Sequence, residues 1–113
     1  MKLAVLALLL AVGCGGGLGA ARSDFEAGHY GEARERLEKL EPESKRWSET
    51  ERARYALYRG LVHHALGDRP RAATWLREAK RLEDARPNTL SADDQARLGL
   101  ALESLGPDGV SAE

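Results

Sequence analysis

The chain has 113 residues, with 17 Lys and Arg against 18 Asp and Glu, for a formal net charge of -1. That length holds one domain, and the near balance of charge excludes the basic excess on which nucleic-acid binding rests. Hydrophobic residues at 42% are too many for a disordered chain, charged residues at 31% too many for a polytopic membrane protein, and aromatics at 5% too few for a β-sandwich. The single Cys excludes an intramolecular disulfide and a zinc site built on several cysteines.

Lys2 supplies a positive charge ahead of an uninterrupted apolar run, Leu3 to Val12. As a helix this run would span about 15 Å, half a bilayer core, so it is too short to cross a membrane. Its proportions are those of the apolar region of a secretory signal peptide. The residues that follow, Ala11-Val12-Gly13-Cys14, resemble the lipobox of bacterial lipoproteins, with Ala11 where Leu is usual. In that family small residues precede the cut and the Cys becomes the first mature residue. The resemblance implies a signal peptide over 1–13 and a diacylglyceryl group on Cys14. Membrane lipid is then a partner through the acylated Cys14, and a second acyl chain turns a marginal anchor into a stable one. It also implies a place in the bacterial cell envelope facing the periplasm, with Gly15 after the Cys favouring the outer membrane. Residues 14–20, rich in Gly, then read as a flexible tether. A second arrangement stays open: Gly19-Ala20-Ala21 also suits an ordinary signal cleavage, which would release a soluble periplasmic module cut after Ala21.

Beyond the tether the chain reads as helical throughout. Residues 31–41 place Ala33, Leu37 and Leu40 on one stripe, with Tyr30 at its edge and Pro42 marking the exit. Residues 49–66 follow a capping pattern at Ser48 and Glu51 and end at Gly67. Residues 70–84 follow Asp68 as N-cap, with Pro70 in the first turn and a stripe of Ala72, Leu76, Ala79 and Leu82. Residues 92–105 follow Ser91 and carry Leu98, Ala101, Leu102 and Leu105 on one side.

These segments repeat. Gly28, Gly67 and Gly106 stand 39 residues apart, and the same offset relates Ala33 to Ala72, Leu37 to Leu76, Leu40 to Ala79, and Ala21 to Gly60 to Gly99. The stretch Gly60 to Ala79, GLVHHALGDRPRAATWLREA, resembles a tetratricopeptide repeat: Gly60 at the small position where helix A meets helix B, Gly67 as the turn, and Ala72, Leu76 and Ala79 in helix B. AGHYGEARERLEKL resembles a first unit with a short helix A, and Gly99 marks a third helix A acting as a cap. The 39-residue period exceeds the family's, which is about 34. The expected fold is all-α: antiparallel helix-turn-helix pairs stacked as a short solenoid of about two repeats plus a capping helix, over residues 21–106, followed by a flexible tail at 107–113. Gly28, Ala33, Leu37, Gly60, Gly67, Ala72, Leu76, Ala79 and Gly99 are its expected packing positions. The resemblance implies a concave face that holds a peptide or a partner helix.

The chemistry-bearing residues point away from catalysis. His63 and His64 are adjacent, so their side chains diverge by about 100° on a helix and do not form a metal pair. The carboxylates fall on solvated helix faces or in first turns, where they offset the helix dipole. No glycine loop follows a strand to cradle a phosphate, and no cofactor is expected. The reading is therefore a non-enzymatic envelope adaptor or accessory subunit with a protein partner and no nucleic acid. Candidate partner contacts are Arg54, Leu57, Leu61 and His64 on one helix and Trp75 on the next. Arg52, Arg54, Arg59, Arg69, Arg71, Arg77, Lys80, Arg81 and Arg86 add a basic region interleaved with acids, a surface for an acidic segment or for anionic headgroups.

Overall fold

The computed structural model describes residues 16–110. The signal sequence, Cys14 and residues 111–113 lie outside the described residues. Five helices follow one another: α1 (Gly16–Glu26), α2 (Tyr30–Ser44), α3 (Glu49–Ala65), α4 (Arg69–Ala85) and α5 (Ala92–Val110). The fold is all-α, with no strand among the described residues. Helices α1 and α2 form one hairpin and α3 and α4 a second, more extensive one; α2 also packs on α3, and α4 on α5. Helix α3 touches α1 and α5 as well, whereas α2 and α4 do not meet. The result is two layers, α1-α3-α5 and α2-α4, stacked as a short tetratricopeptide-like solenoid with α5 as its last described helix.

The hairpin turns explain the repeated glycines. Gly28 and Gly67 have φ of 86° and 84°, a region that costs an L side chain strain. Around each, the same two bonds close the preceding helix: Gly28 N–H to Phe25 O and His29 N–H to Asp24 O, then Gly67 N–H to His64 O and Asp68 N–H to His63 O. This is the Schellman arrangement, built twice, 39 residues apart. Gly106 repeats the left-handed φ at 70° and breaks the helical run of α5. Arg69 Nη2 then donates to the Leu105 carbonyl at 2.6 Å. Ser48, Asp68 and Ser91 cap their helices, their side-chain oxygens accepting from the backbone N–H of Glu51, Arg71 and Asp94 at 3.2 Å each.

Close approach between helices rests on small residues. A Cβ on Gly60 would stand 2.5 Å from Leu76 Cγ and 3.1 Å from the Leu76 backbone nitrogen, so α4 lies directly on that glycine. Ala21, Ala33, Ala53, Ala72 and Ala79 are fully buried, and Leu37, Leu57 and Leu76 fill the space between the pairs.

Four expectations are corrected. Residues 16–20 are not a flexible tether: they open α1, Leu18 is buried, and a Cβ on Gly17 would meet Leu40 Cδ2 at 2.9 Å. Glycine at 17 serves close packing, so residues 16–20 belong to the folded domain rather than to a tether. Pro42 does not end α2 but lies within its last turn, and Ser44 Oγ donates to the Glu41 carbonyl at 2.7 Å. Helical structure continues past Gly106 to Val110, within the expected tail. Gly99 is not a packing position: it is exposed, and an added Cβ would meet nothing within 4 Å.

Candidate partner-binding groove

Stacking α1, α3 and α5 side by side leaves a groove of about 700 Å³ on these helices. Phe25 and Glu26 come from α1, and Tyr30 from the start of α2. Leu61 and His64 come from α3, and Arg97, Leu100, Ala101 and Ser104 from α5. Leu100 is 67% exposed and stands out as the most exposed large apolar side chain among the described residues. His64 Nε2 lies 3.1 Å from Ser104 Oγ, within hydrogen-bond distance, and links α3 to α5 along one edge.

A polar seam joins the three helices beside the groove. Tyr58 is wholly buried, and its hydroxyl donates to Asp94 Oδ1 at 2.8 Å. Arg97 Nη1 donates to the same hydroxyl at 2.5 Å, and its Nη2 donates to Glu26 Oε2 at 3.0 Å. Arg22 Nε reaches that carboxylate oxygen too, at 3.2 Å. Burial, then the hydrogen bond to the Asp94 carboxylate, pushes the Tyr58 hydroxyl up to about 12, so it remains a donor. The Arg97 and Arg22 hydrogen bonds hold the Glu26 carboxyl below its ordinary value. Phe25 meets Tyr58 edge-on at 5.8 Å and Tyr30 at 5.7 Å, so the aromatic wall of the groove stands on the seam. These residues form a fixed apolar surface with charged groups at its margin.

The expected partner contacts divide. Leu61 and His64 line the groove. Leu57 is fully buried and belongs to the core. Arg54 is half-buried outside the groove's lining. Trp75 lies away from the groove, beside α3's second polar stripe, Tyr55, Arg59 and His63. There Tyr55 donates to the Leu37 carbonyl at 2.5 Å, and Arg59 Nη1 donates to Tyr55 Oη at 3.0 Å and Glu41 Oε1 at 3.2 Å. The Arg59 guanidinium lies 4.5 Å from the Trp75 ring centroid. His63 is buried with Nε2 unpartnered, and burial followed by the Arg59 charge pushes its imidazole down.

Phe25, Tyr30, Arg97, Leu100 and Ser104 were not among the sequence candidates. The 39-residue offset carried the signal for two of them, since it leads from Leu61 to Leu100 and from His64 back to Phe25. Among the described residues no three His, Cys, Asp or Glu side chains stand together to hold a metal ion, and no helix is long and apolar enough to cross a membrane. The chain matches no protein-family model, no curated protein and no solved structure.

Proposed function

We propose that this chain is a non-catalytic adaptor or accessory subunit of the bacterial cell envelope, held to a membrane through acylated Cys14 and facing the periplasm, with the outer membrane favoured. The observation that carries the reading is the groove: a preformed apolar concavity on three packed helices, with Leu100 exposed in it and Arg97, Glu26 and His64 at its margin. That arrangement suits an apolar ridge of a partner helix or peptide, oriented by polar groups at the rim.

The helical N-terminus bears on the choice between the two cleavage schemes. Ala21 is fully buried in the middle of α1, and a cut after it would take Gly16 to Ala21, with Leu18, out of the core. A cut before Cys14 leaves α1 whole, which supports the lipoprotein over the soluble alternative. Mass spectrometry of the mature N-terminus is expected to find acyl groups on Cys14. A free N-terminus at Arg22 would sink the anchor and favour the soluble module. For the groove, a photo-crosslinker at Leu100 should capture one defined protein, and Leu61→Lys should abolish that capture while a crosslinker on the far side of α4 gives none. Equal capture from both faces would refute a groove-specific partner.

A further inference from the structure

The second cleft of the molecule lies on the opposite face, where α2 and α4 do not meet and α3 shows between them. It encloses about 270 Å³, room for one or two side chains rather than a drug-sized ligand. Tyr55 of α3 and Trp75 of α4 give it apolar surface, and Glu41, Lys45, Arg52 and Glu78 surround that surface.

Its charges are not balanced in the way their number suggests. Each acid already has a cation of its own from outside the cleft lining. Glu41 accepts from Arg59, and Glu78 receives two bonds from Arg81, at 2.9 and 2.8 Å. The Arg81 hydrogen bonds are also what chiefly hold the Glu78 carboxyl below its ordinary value, with Arg52 a minor contributor. Lys45 and Arg52 make no ion pair and no side-chain hydrogen bond among the described residues. Two cations therefore face the cleft without an ion pair or side-chain hydrogen bond, Arg52 acting on Glu78 only from longer range, beside an aromatic ring whose position is set. Arg59 stacks at 4.5 Å from the Trp75 centroid, and Tyr55 meets it edge-on at 5.7 Å. Trp75 is also the ridge between this cleft and a shallower hollow formed with Thr74 and Arg77.

We propose that this cleft is a second docking site, which takes an acidic side chain of a partner polypeptide next to an apolar one. The carboxylate sits between Lys45 and Arg52, and the apolar neighbour lies against Trp75. A carboxylate there gains charge-assisted hydrogen bonds from donors that have no other acceptor, and Trp75 supplies contact area at small entropic cost. The site stands apart from the inner groove, so one molecule can hold two segments on opposite faces.

The test uses the full-length chain and a capped peptide of alternating Glu and Leu, with a Gln-and-Leu peptide of the same length as control. The readout is the indole N–H signal of Trp75, assigned by its disappearance in Trp75→Phe. The Glu peptide is expected to shift that signal saturably, and added salt should weaken the effect. The double variant Lys45→Gln with Arg52→Gln should weaken binding about tenfold or more, the loss of one good charged contact or its equivalent. Arg36→Gln with Lys39→Gln removes the same charge from exposed positions of α2 outside the cleft lining, and it should leave binding unchanged. Both cleft positions are exposed or half-buried, and an unchanged helical circular dichroism spectrum will show that the double variant folds. The proposal fails if the Gln peptide binds equally, if no saturable shift occurs, or if the cleft double variant binds as well as the parent. It also fails if anionic phosphatidylglycerol vesicles perturb Trp75 through these two cations while the peptide does not, since the face would then be a membrane surface.

Discussion

Gly60 and Gly99 hold the same place in the 39-residue repeat, and their surroundings are opposite. Gly60 is buried under Leu76, with α4 lying on it, whereas Gly99 faces open space on α5. The neighbours change with the glycine. Leu57, fully buried, corresponds to the exposed Ala96, and His64 corresponds to the exposed Glu103. Ala96 and Glu103 lie three and four residues from Gly99, on its side of α5. Gln95, also on that side, stands where the second unit has the buried Ala56. The repeat has therefore kept the glycine and made its surroundings smaller and more polar where no further described helix follows. A stack of helices ends stably in this way, because a last layer with an apolar outer face would invite another copy to add. Leu61 and Leu100, on the groove side, stay apolar in both units.

The comparison breaks most severely if the two environments are exchanged. Leu57→Ala installs the third unit's residue at a site with no exposure, and it is expected to cost about 2–5 kcal/mol, a large share of the stability of a small domain. Ala96→Leu should change stability by about 0.5 kcal/mol or less, because the position is exposed and has room for the larger side chain. Urea unfolding of the pair measures the contrast, and a large cost at Ala96 would show that α5 is covered after all.

The glycines themselves give the next effect. Gly60→Ala forces a Cβ to within 2.5 Å of Leu76 Cγ and is expected to destabilise by about 1–3 kcal/mol as α4 is pushed outward. Gly99→Ala meets nothing, gains helix propensity, and should stabilise by up to about 1 kcal/mol. The same substitution thus changes sign across one repeat. Two destabilisations of equal size would mean that a helix packs on α5.

How far the sequence carried these positions depended on the kind of signal. Helices α2 to α5 were legible because each has a clear apolar stripe and α3, α4 and α5 also carry a recognisable cap, and the turns were legible because glycine suits the left-handed backbone at 28 and 67. Helix α1 was not legible in its first turns. Three of its first four residues are Gly, which disfavours a helix by about 1 kcal/mol each relative to Ala, and only contacts such as Gly17 with Leu40 and the burial of Leu18 offset this. Half of the groove was hidden for a related reason. Leu61 and His64 could be read from one helix, but Phe25 and Arg97 join them only when three helices stack, and a single stripe does not reveal which side of a neighbour it will meet. Leu57 was misjudged on the same ground, since a position one turn from Leu61 is fully buried in the core.

One further position separates the two units by chemistry rather than by size. His63 corresponds to Leu102, and it is buried with Nε2 unpartnered, near the Arg59 charge. Both burial and that charge disfavour the imidazolium, so the folded imidazole titrates below its ordinary value of 6.5, while the unfolded one titrates near it. The unfolded chain then binds more protons than the folded chain in the window just under pH 6.5. Stability contributed by neutral His63 is present above that window and is lost as the pH falls through it. The carboxylates whose values are lowered, Glu26, Asp68 and Glu78, act only below their own ordinary values near 4, so they leave this window to the imidazole. His63→Leu installs the third unit's residue in the second and removes the group that must stay neutral. It is expected to flatten the decline in melting temperature between pH 7.5 and 5.5 and to leave stability at neutral pH little changed, because the nitrogen it removes had no partner. An unaltered decline in the variant would mean that His63 is already able to take up its proton in the folded state, and that the polar stripe of Tyr55, Arg59 and His63 opens to water where Leu102 does not.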